Sequence, residues 1–156
     1  MSLLQGQLRF LNENGFEVLA VANGEDALRE VQRTEGVRTQ HIAMHREISL
    51  RADLRSLFDL VRLFRREKPD IVHANTPKGS LLAMMAAWLC RVPVRLYTVT
   101  GLRFETATGN FRRLLITMER IACRCATTVI PEGEGVKKTL IRERVTSKPL
   151  AVVLNG

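Results

Sequence analysis

The chain has 156 residues, 46% of them hydrophobic and 26% charged, the proportions of an ordinary globular domain with a real core. Its 24 Lys and Arg against 16 Asp and Glu leave a net charge of +8, which suits an anionic partner such as nucleic acid, an acidic membrane face or a phosphorylated substrate, or equally a solvated basic surface. At 5% aromatic content stacking platforms are scarce, and no zinc-finger spacing, RNP motif or basic zipper occurs, so no nucleic-acid partner is expected.

In chain order, Leu4 to Asn14 reads as a helix with Leu4, Leu8 and Leu11 on one face and Gly15 as its stop. Phe16 to Ala22 is a buried strand, and Asn23-Gly24 turns the chain. Glu25 and Asp26 open a helix that runs to about Thr34 and ends at Gly36, their charge favoured in a first turn. Arg38 to Met44 is a weaker, polar strand. After the polar loop from His45 to Ser49, Leu50 to Glu67 has apolar residues at Leu54, Leu57, Phe58, Val61 and Phe64, the spacing of a helix that buries that stripe. Arg51, Arg55, Arg62, Arg65 and Arg66 fill its remaining surface.

Asp70 to Ala74 is a short apolar strand that stops at polar residues. Ser80 to Leu89 is apolar almost all round, a helix buried on most sides. The longest apolar run, Leu81 to Cys90, is too short to cross a bilayer, and no signal peptide is seen. Pro93 to Val99 is the next strand. A second amphipathic helix follows Thr108-Gly109-Asn110, with Phe111, Leu114, Leu115, Met118 and Ile121 apolar and Arg112, Arg113, Arg120 and Arg124 charged. Thr127 to Ile130 is a strand, Glu132 to Arg144 a Gly-interrupted helix, and Leu150 to Leu154 a last strand. Cys90, Cys123 and Cys125 fit neither a zinc site nor a disulfide framework and read as reduced, cytoplasmic cysteines, the last two on different faces of one helix.

Six strands alternating with six helices and short loops predict an α/β fold, a doubly wound Rossmann-like parallel sheet with helices on both faces. In such sheets the chemistry gathers in loops at the carboxyl ends of strands. His73, Asn75, Thr76 and Lys78 fall in one such loop, and Thr100, Arg103 and Glu105 in the next. Arg46 and Glu47, at the end of another strand, are candidates for the same cleft.

The stretch Asp70-Ile71-Val72-His73-Ala74-Asn75-Thr76-Pro77-Lys78, then Pro93-Val94-Arg95-Leu96-Tyr97-Thr98-Val99-Thr100-Gly101-Leu102-Arg103-Phe104-Glu105, then an Arg-rich helix with Glu119-Arg120 and Ala122-Cys123-Arg124, resembles the N-terminal domain of family 4 glycosyltransferases of the bacterial surface-polysaccharide type. The likeness extends from Leu4 through Asn155-Gly156 in order. It implies the N-terminal half of a GT-B fold, whose members are retaining enzymes. It also implies a division of labour: this half holds a lipid-linked saccharide acceptor, and a C-terminal domain with a Glu-x7-Glu motif binds the nucleotide-sugar donor. The family opens with a strand and a glycine loop before its first helix, and this chain is already in that helix at Leu4. The expectation is therefore one domain truncated at both ends relative to the family, which lacks its first strand and a partner domain and is inactive alone. No metal or other cofactor is expected, since no Asp-x-Asp motif is present.

On this resemblance His73 lines the acceptor cleft or bonds a substrate hydroxyl; the alternative is a core histidine bonded to backbone. Lys78 at a helix start would hold phosphate oxygens, or is simply solvated, and Thr76 caps that helix or touches substrate. Thr100 stands where many relatives carry histidine and cannot act as a base near neutral pH. Arg103 would meet an anionic group and Glu105 a sugar hydroxyl, unless they pair with each other. The arginines of the two amphipathic helices suggest contact with an anionic membrane at the cytoplasmic face. A non-catalytic module for an anionic lipid or glycan is the alternative function. A nucleotide-binding Rossmann protein is disfavoured, because no Gly-x-Gly-x-x-Gly follows a strand.

Overall fold

Helix formation begins where the sequence supplies a stop or a cap, and glycine marks several of these points. In the computed structural model, residues 6–44 and 49–152 are described. The elements are α1 (Gln7–Glu13), β1 (Leu19–Ala22), α2 (Glu25–Glu35), β2 (Arg38–His41), α3 (Leu50–Glu67), β3 (Ile71–Ala74), α4 (Pro77–Leu89), β4 (Val94–Val99), a 3-10 turn (Arg103–Glu105), α5 (Gly109–Cys125), β5 (Thr128–Pro131) and α6 (Glu134–Arg142). The chain divides into two compact units, Met1–Ser56 and Leu57–Gly156, with the division inside α3.

In the first unit β1 and β2 pair in parallel, Leu19 opposite Arg38 and Ala22 opposite His41. The helix between them, α2, ends at Gly36 in the left-handed region (φ 69°), where a side chain would be strained. Glu35, the last residue of α2, reaches the start of α1, and its carboxylate accepts from the backbone N–H groups of Gly6 (2.9 Å) and Arg9 (3.0 Å). Those two bonds hold its pKa below the ordinary value. The group serves as an N-terminal cap supplied from another helix.

In the second unit β3, β4 and β5 form a parallel sheet in that order. Ile71 stands opposite Val94, and Tyr97 opposite Val129. Parallel neighbours require crossovers, and α4 and α5 provide them. Val72, Tyr97, Val99, Val129 and Pro131 point into the core on one face of this sheet. Ile71 and His73 alternate with them and are exposed on the other. Ser80, Met84, Ala86 and Ala87 of α4 are fully buried, as its all-round apolar sequence predicts.

Several expectations are corrected. Where six strands were expected, five are formed among the described residues, in two sheets rather than one. Of the last expected strand only Leu150 makes a bridge, to Val129, while residues 153 and 154 lie outside the described region. Helix α4 starts at Pro77, three residues before the predicted Ser80, because proline suits a first helical position, where no N–H bond is lost. The predicted core stripe of α3 is rotated: Leu54 and Phe58 are 66% and 65% exposed, while Phe64 is buried as expected, together with Ser56, Leu60 and Leu63, which the stripe did not include. In α5 the buried residues are Leu115, Ile116, Glu119, Ala122 and Cys123, and Phe111, Leu114 and Ile121 face solvent. An apolar stripe broader than the contact it makes leaves its flank exposed, and periodicity alone does not say which flank.

Candidate functional site

The carboxyl ends of the paired strands β3 and β4 lie side by side and join two of the sequence-selected positions, Asn75 and Thr100. His73, next to last in β3, directs its ring to the half-exposed face of the sheet, where Nε2 shares a 2.8 Å hydrogen bond with the Thr98 hydroxyl. The parallel register sets this contact. His73 lies opposite Leu96, and Thr98 is the next residue of β4 on the same face. Partial desolvation lowers the His73 pKa from its ordinary value, so the imidazole is neutral at pH 7 and offers one donor and one acceptor nitrogen. Thr98 was not selected from the sequence. Its signal was available in the pairing, two residues beyond the register partner of His73, but only once the register was known.

One step further out, the Thr100 hydroxyl donates to the Asn75 carbonyl at 3.4 Å and ties the two loops together. Thr76 occupies the N-cap position of α4 in extended conformation, yet its side chain makes no capping bond. The exposed hydroxyl is thus not committed to the helix. Lys78 follows in the first turn of α4, half-buried.

The loop after β4 is held firmly. Phe104 is buried beneath the 3-10 turn, with the Arg112 guanidinium 5.7 Å from its ring centroid. Arg112 also pairs with Glu143 at 2.8 Å, and this bond keeps the Glu143 carboxyl below its usual range. Glu105 does not pair with Arg103; its carboxylate accepts from the Thr139 hydroxyl of α6 at 2.9 Å. Glu105 therefore anchors the loop, and Arg103 stays exposed beside it. Arg46 and Glu47 lie outside the described residues. Among the described residues no group of three or more His, Cys, Asp or Glu is placed to hold a metal.

Behind the site sits a buried polar pair that the sequence reading passed over. Tyr97 donates its hydroxyl to both carboxylate oxygens of Glu119, at 2.7 and 2.8 Å. Desolvation pushes Glu119 up to about 7, and burial together with that carboxylate raises Tyr97 well above its ordinary value. Lys148 caps the carboxyl end of the same helix, donating to the carbonyls of Cys123 (2.7 Å), Arg124 (3.1 Å) and Ala126.

Comparison with known proteins matches residues 4–156 to the glycosyl transferase 4-like domain. The chain belongs to the glycosyl transferase 4-like family. It is 36% identical over 152 residues to the capsular polysaccharide biosynthesis glycosyltransferase CapM of Staphylococcus aureus, covering 97% of this chain and 39% of that protein. It is 35% identical over 113 residues to the UDP-Gal:alpha-D-GlcNAc-diphosphoundecaprenol alpha-1,3-galactosyltransferase of Escherichia coli, covering 71% of this chain and 29% of that one. The chain thus spans well under half the length of these relatives. Anabaena Alr3699/HepE, solved in complex with UDP, shares the fold with a TM-score of 0.70 at 15% identity, over 100% of this chain and 41% of that one. The fold of this chain, parallel sheets flanked by helices, is therefore that of the matched part of a GT-B structure.

Proposed function

We propose that this chain is the acceptor-binding half of a retaining glycosyltransferase that moves a sugar from a nucleotide-sugar to a lipid-linked saccharide in surface polysaccharide synthesis. The observation that carries the reading is the neutral His73–Thr98 pair, with Thr100 and Asn75 beside it, on strand ends of a family member. Uncharged donors and acceptors fixed on strands suit the hydroxyls of a saccharide, whose recognition needs directional bonds more than charge. Thr76, Lys78 and the first turn of α4 lie next along the chain, and a pyrophosphate linkage would meet a helix start and a cation there. Arg103 adds exposed positive charge across the loop, and Arg46 and Glu47 are retained as candidates for the same cleft. Glu105 acts from behind, by holding the loop to Thr139.

The reading places no catalytic base in this half. Thr100 cannot ionise near neutral pH, and in retaining transfer the departing phosphate of the donor can take the acceptor proton. The donor site, and hence turnover, would belong to a second domain, so this chain alone binds without reacting. The shares of 39% and 29% of the relatives' lengths support a single N-terminal domain of a longer protein. A further strand, from sequence beyond these residues, would pair with the outer edge of β3, which pairs with no strand among the described residues. A lipid-linked acceptor places the protein at the inner face of the plasma membrane, in the cytoplasm. No described helix is long and apolar enough to cross a membrane, which supports peripheral attachment.

The test is transfer of a labelled sugar to a lipid-pyrophosphate-linked saccharide by the chain joined to a nucleotide-sugar-binding domain. His73→Ala is expected to lower transfer roughly tenfold, the worth of one good hydrogen bond of about 1–1.5 kcal/mol. Transfer unchanged in both His73→Ala and Thr98→Val would contradict the assignment.

A further inference from the structure

The sheet of the second unit ends in three loops, and the site described so far uses two of them. Val99 stands opposite Pro131, and the Glu132 N–H donates to the Val99 carbonyl at 3.0 Å. The parallel pairing thus carries Glu132, just past β5, to the level of Thr100. Thr100 in turn reaches the Asn75 carbonyl at 3.4 Å. Asn75, Thr100 and Glu132 form one row across the carboxyl ends of β3, β4 and β5, and all three are half-buried. The chain leaves that row through Gly101 and Gly133. A Cβ at either position would meet no atom within 4 Å, so the space before both loops is open. At Gly133 φ is 132°, a conformation that glycine alone adopts without strain, and the turn directly after Glu132 is therefore bare of side chain.

The residues assigned to the acceptor are cations and neutral groups for the most part. Lys78 and Arg103 carry positive charge, and Thr76 and Thr100 offer hydroxyls. The one assigned carboxylate among the described residues, Glu105, accepts from Thr139 at 2.9 Å. Sugar hydroxyls donate as well as accept, and a carboxylate, which can accept from two donors at once, is the strong counterpart for a pair of them. Glu132 brings that chemistry to the strand ends, in the role that Glu105 does not fill. We propose that Glu132 is a specificity residue of this site, whose carboxylate accepts hydrogen bonds from neighbouring hydroxyls of the acceptor saccharide. The assignment rests on the preceding reading for the class of ligand. It adds the third loop and the part of the ligand which that loop reads: the sugar, not the pyrophosphate, which a carboxylate repels.

The experiment is calorimetry of the 156-residue chain with a short-chain prenyl-pyrophosphate-linked saccharide, with its monodeoxy analogues, and with the same prenyl pyrophosphate without sugar. Glu132→Gln is expected to weaken saccharide binding about tenfold, and Glu132→Ala about 10- to 100-fold, the worth of hydrogen bonds to a charged group. Neither variant should weaken binding of the bare prenyl pyrophosphate. A monodeoxy analogue that the wild type binds about tenfold less well should bind Glu132→Ala as well as the parent saccharide does, because the partner of the missing hydroxyl is already gone. Glu134→Gln, at an exposed position whose carboxylate pairs with Lys137 at 3.6 Å, removes the same charge two residues on and should leave all the affinities unchanged. Circular dichroism reports the fold, and Glu132→Gln, which keeps the size of the side chain, decides the matter if Glu132→Ala unfolds. Saccharide affinity unaltered in Glu132→Gln, an equal loss for the bare prenyl pyrophosphate, or an equal loss in Glu134→Gln would overturn the proposal. A wild-type chain that binds neither saccharide nor prenyl pyrophosphate would overturn the preceding reading and this one with it. Wild-type saccharide binding that the Glu132 variants leave intact would overturn this one alone.

Discussion

Glu119 is a buried carboxyl whose partner is a phenol, not a cation, and this gives the fold an unusual pH response. Its folded pKa is about 7 against an ordinary 4.5. A raised acid pKa means that the contribution to stability is complete below the unfolded value and is lost as pH rises through the folded one. From those two values the loss between pH 5 and pH 8 is about 2.5 kcal/mol. The Glu35 and Glu143 carboxyls are shifted downward, so their effects lie below about pH 4.5. His73 is shifted downward too and acts in the opposite sense below its ordinary pKa. The difference between wild type and Glu119→Gln isolates the one group. Urea unfolding followed by circular dichroism at pH 5 and pH 8 should give the wild type a fall about 2.5 kcal/mol steeper than the variant's. Tyr97→Phe deletes the donor to both oxygens and should cost roughly 2–3 kcal/mol at pH 8, with a smaller cost at pH 5, where the carboxyl is neutral. Parallel pH slopes for wild type and Glu119→Gln would refute the assignment of the slope to this pair.

Other consequences follow from the same packing. Phe104→Ala should destabilise the fold by about 3–5 kcal/mol in thermal or urea unfolding, because the ring is 1% exposed and fixes the loop after β4. Lys148→Met removes three bonds to the carbonyls at the end of α5 and should cost about 1.5–3 kcal/mol by the same measurement. Among the cysteines, burial pushes the Cys123 thiol up to about 12, while Cys90 is half-exposed. Iodoacetamide at pH 8 should label Cys90 in the native chain well before Cys123, as peptide mapping would record.

The elements whose sequence carried both a pattern and a boundary were legible. Helix α3 was read from Leu50 to Glu67, its observed limits, because Pro69 and the polar loop before Leu50 bracket a long periodic run. The site loops were legible for a different reason: a short apolar strand that breaks at polar residues places those residues at a strand end whatever the rest of the fold does. What could not be read was which side of a broad apolar stripe meets the core. Leu54 and Phe58 look like core because they are apolar at helical spacing, yet the contact lies one residue row away, at Ser56, Leu60 and Leu63, with Phe64 the member of the predicted stripe that is buried beside them. Glu119 was hidden by its chemistry. A glutamate on a helix reads as surface, and only the pairing of β4 beneath α5 reveals that a tyrosine hydroxyl is there to receive it. Glu105 went the other way: its place beside Arg103 suggested substrate or a local ion pair, and its partner proved to be Thr139, thirty-four residues on.

The most direct test of the account is the affinity of this chain for two ligands, a short-chain prenyl-pyrophosphate-linked saccharide and a nucleotide-sugar. Calorimetry gives the affinities, and NMR of the His73, Thr98 and Thr100 resonances locates the contact. The account predicts that the lipid-pyrophosphate saccharide binds and shifts those three residues, that His73→Ala weakens it, and that the nucleotide-sugar binds negligibly. Tight binding of the nucleotide-sugar at these residues, with no affinity for the acceptor, would contradict it.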